Sequence, residues 1–295
     1  MLLGPLYYLA DQSTPLGQAW DTIILPGLIA SAAFALVSSS MYVVNDLVDR
    51  EQDRAHPRKR HRPLASGEIS PKTGIVFSVC LAIAGLALVA LLPVHAIGWT
   101  LFALVAYLIN VLAYSWGIKR HAIADVMGLS IGFVIRVLAG CAAAGVEPTT
   151  FLLNSTLFLA MFLAFGKRLG ERRTMGDQVA SARKVQQRYT DDLLRMAVVV
   201  TAVATLLTYA AYTGEKADRY TLGFNLLWLT MLPATYGLLR VIVLLERGVY
   251  DDPTELAVRD RPFQLAAAIF GLIVVVLAVL AREGGGAIGG LRGGV

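Results

Sequence analysis

Asn45, Asp46, Asp49 and Asp53 follow an apolar segment that ends near Val44, and a cationic run from His56 to Pro63 comes directly after them. On a helix carried past Val44, Asn45, Asp49 and Asp53 fall at i, i+4 and i+8 and line one face, with Asp46 beside them. Like charges packed on one face cost stability unless a cation neutralises them. Magnesium suits this set, because it takes a few carboxylate oxygens and fills its other positions with water and phosphate oxygens. Asn45, Asp49 and Asp53 are therefore the candidate metal ligands, and Mg2+ the expected cofactor. A calcium loop would need a central glycine and a terminal glutamate, and neither is present. In the cationic run, arginine offers phosphate oxygens a forked grip and lysine a point charge. Metal and cations together would hold a diphosphate. The competing reading is a solvated acidic helix end paired with Arg50 and Arg54. The aspartates sit at the rim of an apolar span, where unpaired charge is costly, and this weighs against it.

The elements that must carry this chemistry are membrane helices. With 56% hydrophobic and 16% charged residues over 295 positions, the chain reads as a polytopic membrane protein of the all-α class. Apolar runs long enough to cross a bilayer are expected near Ile23–Val44, Ser70–Leu92, Ile97–Trp116, Ala122–Ala144, Thr149–Gly166, Leu193–Thr213, Thr221–Leu245 and Pro262–Ala281. That predicts eight full spans. Met1–Ala10 is apolar but too short to span, lacks the features of a signal peptide, and reads as part of a ninth helix. Residues 1–283 form one transmembrane domain on this reading, and 284–295 a flexible Gly-rich tail. Cys80 and Cys141 both fall inside predicted spans, so no disulfide framework is expected.

Basic residues set the orientation. Loops 45–69, 117–120, 167–195 and 246–261 hold nineteen of the 26 Lys and Arg, whereas the intervening loops hold only Lys216 and Arg219. Alternate loops are basic, as a bundle with one cytoplasmic face requires. Topology thus accounts for most of the positive charge, and no nucleic-acid partner is expected. Arg136 lies well inside a span, where a charge is costly and points either to substrate or to a structural ion pair, with Asp125 three turns earlier as the candidate partner. Tyr114 and Trp116 sit at a span boundary, where aromatic anchors are common.

The segment from Asn45 to Asp53, read as NDxxDxxxD and extended by Pro57, Lys59, Arg62 and Pro63, resembles the first signature of the UbiA superfamily of intramembrane prenyltransferases. Tyr114-Ser115, Lys119-Arg120, Asp125 and the run Gly132–Gly140 carry the likeness further. The resemblance implies a nine-helix bundle around a central cavity, capped on the cytoplasmic side of a bacterial membrane by loops 45–69 and 167–192. The pattern departs from most members at the second motif, where Lys167-Arg168-Leu169-Gly170-Glu171 replaces an aspartate-rich sequence. Cations dominate there, which suits two phosphorylated substrates. Together with Asp252–Leu256 and Arg259–Pro262, this stretch resembles the subgroup of decaprenyl-phosphate phosphoribosyltransferases. They transfer 5-phosphoribose from phosphoribosyl diphosphate to a polyprenyl phosphate for cell-wall arabinan synthesis.

The resemblance implies catalytic roles for Asp49, Asp53, Lys167 and Glu171, and substrate contacts for Asp46, Lys59, Arg62, Tyr114, Lys119, Arg136, Arg168 and Tyr189. The acceptor phosphate is already an anion, so no strong base is needed, in keeping with the lack of a Ser-His-Asp or Cys-His arrangement. Expected partners are the two substrates and membrane lipids, with a second copy of the chain left open. The alternative enzyme is a UbiA-type prenyltransferase acting on an aromatic acceptor, which the cationic second motif disfavours. A transporter of a phosphorylated small molecule would show an internal repeat and midplane sites. The sequence has no clear repeat, and its charged motifs cluster on one face.

Overall fold

The computed structural model describes residues 1–2, 19–55, 59–175, 188–250, 253–283 and 288. The partial helix expected at the N-terminus and the tail expected after residue 283 lie outside the described residues, apart from these few positions. Twelve α-helices are distinguished here, in chain order: α1 Leu25–Val48, α2 Arg50–Ala55, α3 Pro63–Ser66, α4 Pro71–Val89, α5 Val94–Trp116, α6 Ala124–Ala143, α7 Thr150–Met175, α8 Asp191–Glu215, α9 Ala217–Tyr220, α10 Met231–Glu246, α11 Pro253–Arg259 and α12 Arg261–Glu283. Among the described residues, eight helical segments are long and apolar enough to cross a membrane, in the order expected. Among the described residues there is no strand, only an isolated bridge between Thr221 and Asn225.

Two boundaries differ instructively from the hydropathy reading. α7 does not stop at Gly166 but runs through the cationic stretch to Met175. Hydropathy marks where lipid ends, whereas Lys, Arg, Leu and Glu are all good helix formers, and Leu169 is buried in a protein core beyond the apolar span. The span expected from Thr221 begins instead as a 3-10 turn, Leu226–Thr230, with regular α-helix only from Met231. Asn225 caps that turn by accepting from the Leu227 N–H at 3.1 Å.

The chain groups into two compact units. One holds α1 to α5 and the part of α6 from Ile135 onward. Its α1 and α4 pack closely: the Ser40 and Ser78 hydroxyls are bonded at 3.0 Å, and a Cβ on Gly85 would lie 2.9 Å from the Ala33 carbonyl oxygen. Small residues of this kind let membrane helices approach. Phe34, Val37, Leu104, Tyr107 and Ala139 form a core beside them. α4 starts where Ser70 accepts from the Thr73 N–H at 3.1 Å and Pro71 takes the first helical position.

The second unit holds the turn Ile118–Arg120, α6 up to Val134, and α7 to α12. Val126, Phe162, Phe165, Leu169, Tyr189, Leu194 and Leu245 build its largest core. α8 is capped by Thr190, which accepts from the Leu193 N–H at 3.1 Å, with Asp191 and Asp192 in the first turn. Large apolar side chains such as Phe77, Trp99 and Leu265 stand more than half exposed, as lipid-facing residues do in an integral membrane protein.

Candidate active site

The acidic motif sits where α1 passes into α2. Asp49 breaks the regular geometry at φ −86°, ψ 2°, yet the register survives the break. The Asp49 N–H donates to the Asn45 carbonyl at 2.9 Å and the Asp53 N–H to the Asp49 carbonyl at 2.8 Å. Asn45, Asp49 and Asp53 therefore do share a face, as their spacing requires.

Arg62 is the residue that meets the acids. Its Nη1 donates to Asp46 Oδ1 at 2.7 Å and to Asp53 Oδ2 at 2.9 Å, so two carboxylates are held by one nitrogen. Asp53 is only 3% exposed, a burial that a carboxylate tolerates when a cation is at hand. Asn45 Oδ1 accepts from the Ser115 hydroxyl at 3.2 Å, which orients the amide. Asp49 is half-buried, and among the described residues its carboxylate has no hydrogen-bond or ion-pair partner.

Arg50 and Arg54 do not pair with these aspartates. Arg50 Nε donates to the Leu64 carbonyl and Arg54 Nε to the Ala65 carbonyl, each at 2.9 Å. They tie α3 to α2 and so fix the segment from which Arg62 projects. Gly67 closes α3 in a left-handed conformation, φ 89°, which glycine adopts without strain. Lys59 begins the short 3-10 turn ahead of Arg62, but its side chain lies outside what the structure describes.

In the same unit, Arg136 is held by Tyr107. Its Nη2 donates to the Tyr107 hydroxyl at 2.6 Å, and the guanidinium lies 4.9 Å from that ring's centroid. Ser38 donates to the same hydroxyl at 3.0 Å. Asp125, weighed in the sequence as one alternative partner for Arg136, pairs instead with Arg168. Tyr114 is half-buried near the end of α5.

The second unit carries the cationic motif. Asp125 is fully buried and Arg168 is 2% exposed. Arg168 Nε donates to Asp125 Oδ2 at 3.1 Å, and the Tyr189 hydroxyl donates to Asp125 Oδ1 at 2.5 Å. Tyr189 also accepts from the Ile123 N–H at 2.7 Å. Burial raises the Tyr189 phenol well above its ordinary range, and the bond to Asp125 adds to this, so it remains a proton donor at any physiological pH. Ile123 has φ 69°, a strained value for a β-branched residue. Tyr189 holds it there.

Arg168 and Tyr189, expected on the substrate, are thus turned to Asp125. Their pairing fastens three segments together: the turn bearing Lys119, the α7 stretch bearing Lys167 and Glu171, and the entry to α8. Glu171 lies 3.9 Å from Arg168 Nη1, and Lys167 and Lys119 are half-buried. A second network closes the same end of this unit. Arg172 and Arg173 bind Asp191 at 2.7 and 3.1 Å, and Arg173 and Arg195 bind Glu246 at 3.2 and 2.9 Å. Three of the basic loops therefore share one end of this unit, as alternate-loop charge predicts.

Spacing alone could not show that Arg62, rather than Arg50 or Arg54, would meet the aspartates, nor that Tyr107 would hold Arg136. A tyrosine in the middle of an apolar span was the available signal for the latter. Among the described residues no three His, Cys, Asp or Glu side chains gather into a metal cage. Magnesium does not need one, since one or two carboxylates with water and substrate phosphate suffice. The oxygen donors of Asn45, Asp49 and Asp53, with Asp49 left unpartnered by its described neighbours, fit that ion.

Known proteins share a likeness with this chain. The chain matches the UbiA prenyltransferase family over residues 7–266. It is 36% identical to a decaprenyl-phosphate phosphoribosyltransferase of Mycolicibacterium smegmatis over 248 residues, covering 80% of this chain and 75% of that protein. A protein of the same name from Corynebacterium glutamicum is 30% identical over 273 residues, covering 90% and 81%. Among solved structures, a UbiA homolog from Archaeoglobus fulgidus bound to DMAPP and Mg2+ superposes with a TM-score of 0.64 at 17% identity, covering 95% of this chain and 94% of that one.

Proposed function

This chain belongs to the UbiA prenyltransferase family, and we propose that within it the protein transfers 5-phosphoribose from phosphoribosyl diphosphate to a polyprenyl phosphate. Diphosphate is released, and the product is the lipid-linked pentose used for cell-wall arabinan. The observation that carries this reading is the motif-one array. An oxygen-donor face with a half-buried carboxylate that has no partner among the described residues, and with an adjoining arginine, is suited to a diphosphate and its divalent ion. The names of the relatives support the choice of donor and acceptor. So does the cationic character of the second motif.

In the reaction the bond between ribose C1 and the diphosphate oxygen breaks, and the electron pair leaves with the diphosphate. A bond forms between C1 and an oxygen of the acceptor phosphate. No proton changes hands, because the acceptor is an anion at neutral pH. Magnesium, when bound, neutralises the departing charge. Asn45, Asp49 and Asp53 would hold it, and Asp46, Arg62, Lys59 and Tyr114 would orient the donor. Lys119, Lys167 and Arg136 are assigned to phosphate oxygens as fixed positive groups that need no reorganisation as charge develops. Glu171, one turn from Lys167 on α7, orients that ammonium. Arg168 and Tyr189 act through Asp125 by holding the turn and the helix that bear those cations. The site opens to the cytoplasmic side on this reading, where the basic loops lie.

The test is purified protein in lipid nanodiscs with magnesium, polyprenyl phosphate and phosphoribosyl diphosphate labelled in the ribose. Label should pass into the lipid fraction. Transfer from a prenyl diphosphate to an aromatic acceptor, with none from phosphoribosyl diphosphate, would overturn the proposal in favour of an ordinary prenyltransferase. Asp49→Asn should lower turnover by about two to three orders of magnitude at saturating magnesium, as loss of a key electrostatic group does.

A further inference from the structure

We propose that Arg62 is the resident counter-cation of the acidic motif, surrendering the aspartates to the divalent ion and then engaging the donor diphosphate. This inference rests on the reading above in one respect, the binding of a divalent ion at motif one. It concerns a different question, namely what keeps the acidic face folded before that ion arrives and how the ion's arrival is communicated to the donor.

Three observations lead to it. First, a single atom, Arg62 Nη1, serves both Asp46 and Asp53. A divalent ion bound by Asp53 draws on the same carboxylate whose Oδ2 this nitrogen holds, so the two cations compete for its charge. Second, Asp53 is buried while the Arg62 side chain is 42% exposed. The acid therefore cannot turn to water when Arg62 withdraws, but the guanidinium can move outward along its flexible stem at little cost. Third, the backbone beneath Arg62 is anchored independently of the aspartates. Arg50 and Arg54 bind the carbonyls of Leu64 and Ala65, and Leu64 packs against Gly74 at the start of α4, where an added Cβ would meet Leu64 Cδ2 at 2.9 Å. Release of the side chain thus leaves its base in place, and the freed fork stays close to the metal site.

A displaced guanidinium retains five donors in a geometry matched to phosphate oxygens. Binding of the ion would then prepare a donor-binding group, and each ligand would raise the affinity for the other by the same factor, as linkage requires. Asp49, which lacks a partner among the described residues, supplies the first foothold for the ion before Asp53 is released.

The experiment measures Mn2+ binding by electron paramagnetic resonance on purified protein, without donor and with saturating phosphoribosyl diphosphate. Removal of the competing cation in Arg62→Gln should tighten donor-free Mn2+ binding by about tenfold and lower the melting temperature of the metal-free protein, with Mn2+ restoring it. Mutual enhancement of metal and donor binding should be present in the wild type and lost in the variant. Unchanged or weaker donor-free Mn2+ binding in a folded Arg62→Gln would overturn the proposal and leave Arg62 as a diphosphate contact alone. Should Arg62→Gln fail to fold, Arg62→Lys keeps the charge. It should show tightening in the same direction but smaller, and its absence overturns the proposal equally. Asp49→Asn separates the two readings. Loss of Mn2+ binding in Asp49→Asn with no tightening in the Arg62 variants defeats only the role of Arg62, whereas Mn2+ binding indifferent to Asp49 defeats the metal assignment itself.

Discussion

Replacing Asp125 should be among the most damaging single changes in the second unit, although the proposed chemistry assigns this residue no contact with substrate. Asp125 is 0% exposed and Arg168 2%, so Asp125→Leu leaves a guanidinium buried with its principal partner gone. Breaking a buried pair in this way costs about 3–5 kcal/mol, most of it the stranded charge. Among the described contacts, the Glu171 carboxylate at 3.9 Å is too far for a strong bond and should recover little of this. The same cost should appear for Arg168→Met, which strands the acid. Replacing both together removes both charges, and the double variant should lie within about 1 kcal/mol of wild type, or above it, because the pair as a whole roughly repays its own desolvation. Equilibrium unfolding in mixed detergent micelles, followed by helical circular dichroism, provides the four stabilities of the cycle. A coupling of about 3 kcal/mol or more is expected. Single losses under about 1 kcal/mol, or a double variant that loses the sum of the two, would refute the reasoning.

Tyr107→Phe keeps the ring beneath Arg136 but removes the hydroxyl that accepts at 2.6 Å, and should cost about 1 kcal/mol, the scale of hydrogen bonds between membrane helices. Arg136→Leu should weaken donor binding measured by calorimetry well beyond the effect of Tyr107→Phe; equal donor affinities would leave Arg136 a purely structural role. Gly85→Ala brings a methyl against the Ala33 carbonyl at 2.9 Å and Val37 at 2.7 Å, and should destabilise the α1–α4 contact by about 1–3 kcal/mol. Gly74→Ala meets chiefly the flexible end of Leu64 and should be close to neutral in the same unfolding assay, helped by the better helix propensity of alanine. The hydrogen bond from Arg240, aided by the Phe263 N–H, holds the Asp260 carboxyl below its ordinary value. A folded value below the unfolded one means that the stabilisation is complete above the unfolded value and disappears as pH falls through the folded one. Wild-type stability should thus gain an acid limb below about pH 4 from this group, and Asp260→Asn should remove that portion of the limb in melting curves taken from pH 3 to 7.

The spans were legible because a bilayer demands some twenty apolar residues in a row and this chain supplies them with little ambiguity. Helix ends were less so. The passage of α7 from lipid into a cationic but still helical and partly buried extension is invisible to hydropathy, since the signal that changes there is solvent rather than backbone conformation. The acidic face was legible from a four-residue spacing that backbone hydrogen bonding enforces locally. Its partner was not, because Arg62 reaches Asp46 across sixteen residues through a turn whose direction is set by the Arg50 and Arg54 contacts to carbonyls. Sequence proximity misled in the case of Asp125 and Arg136. Eleven residues on one helix looked like a feasible pair, but the arginine that bonds Asp125 came from forty-three residues away.

The two charged clusters differ in a way that bears on function. At Asp125, both carboxylate oxygens are taken, the arginine is buried with them, and the tyrosine that completes the set also pins a strained turn. Such a cluster has no use for a further ligand, and any ion entering it would have to break a pair that water cannot reach. At motif one, two carboxylates share one nitrogen of the half-exposed Arg62 side chain and a third, Asp49, finds no partner among its described neighbours. Charge at a membrane rim is costly to hold without a partner, so the half-buried Asp49 carboxylate is more economically explained by a ligand that completes it than by the fold alone. The magnesium–diphosphate reading assigns that ligand, and it predicts that motif one gains stability from added metal while the Asp125 cluster does not.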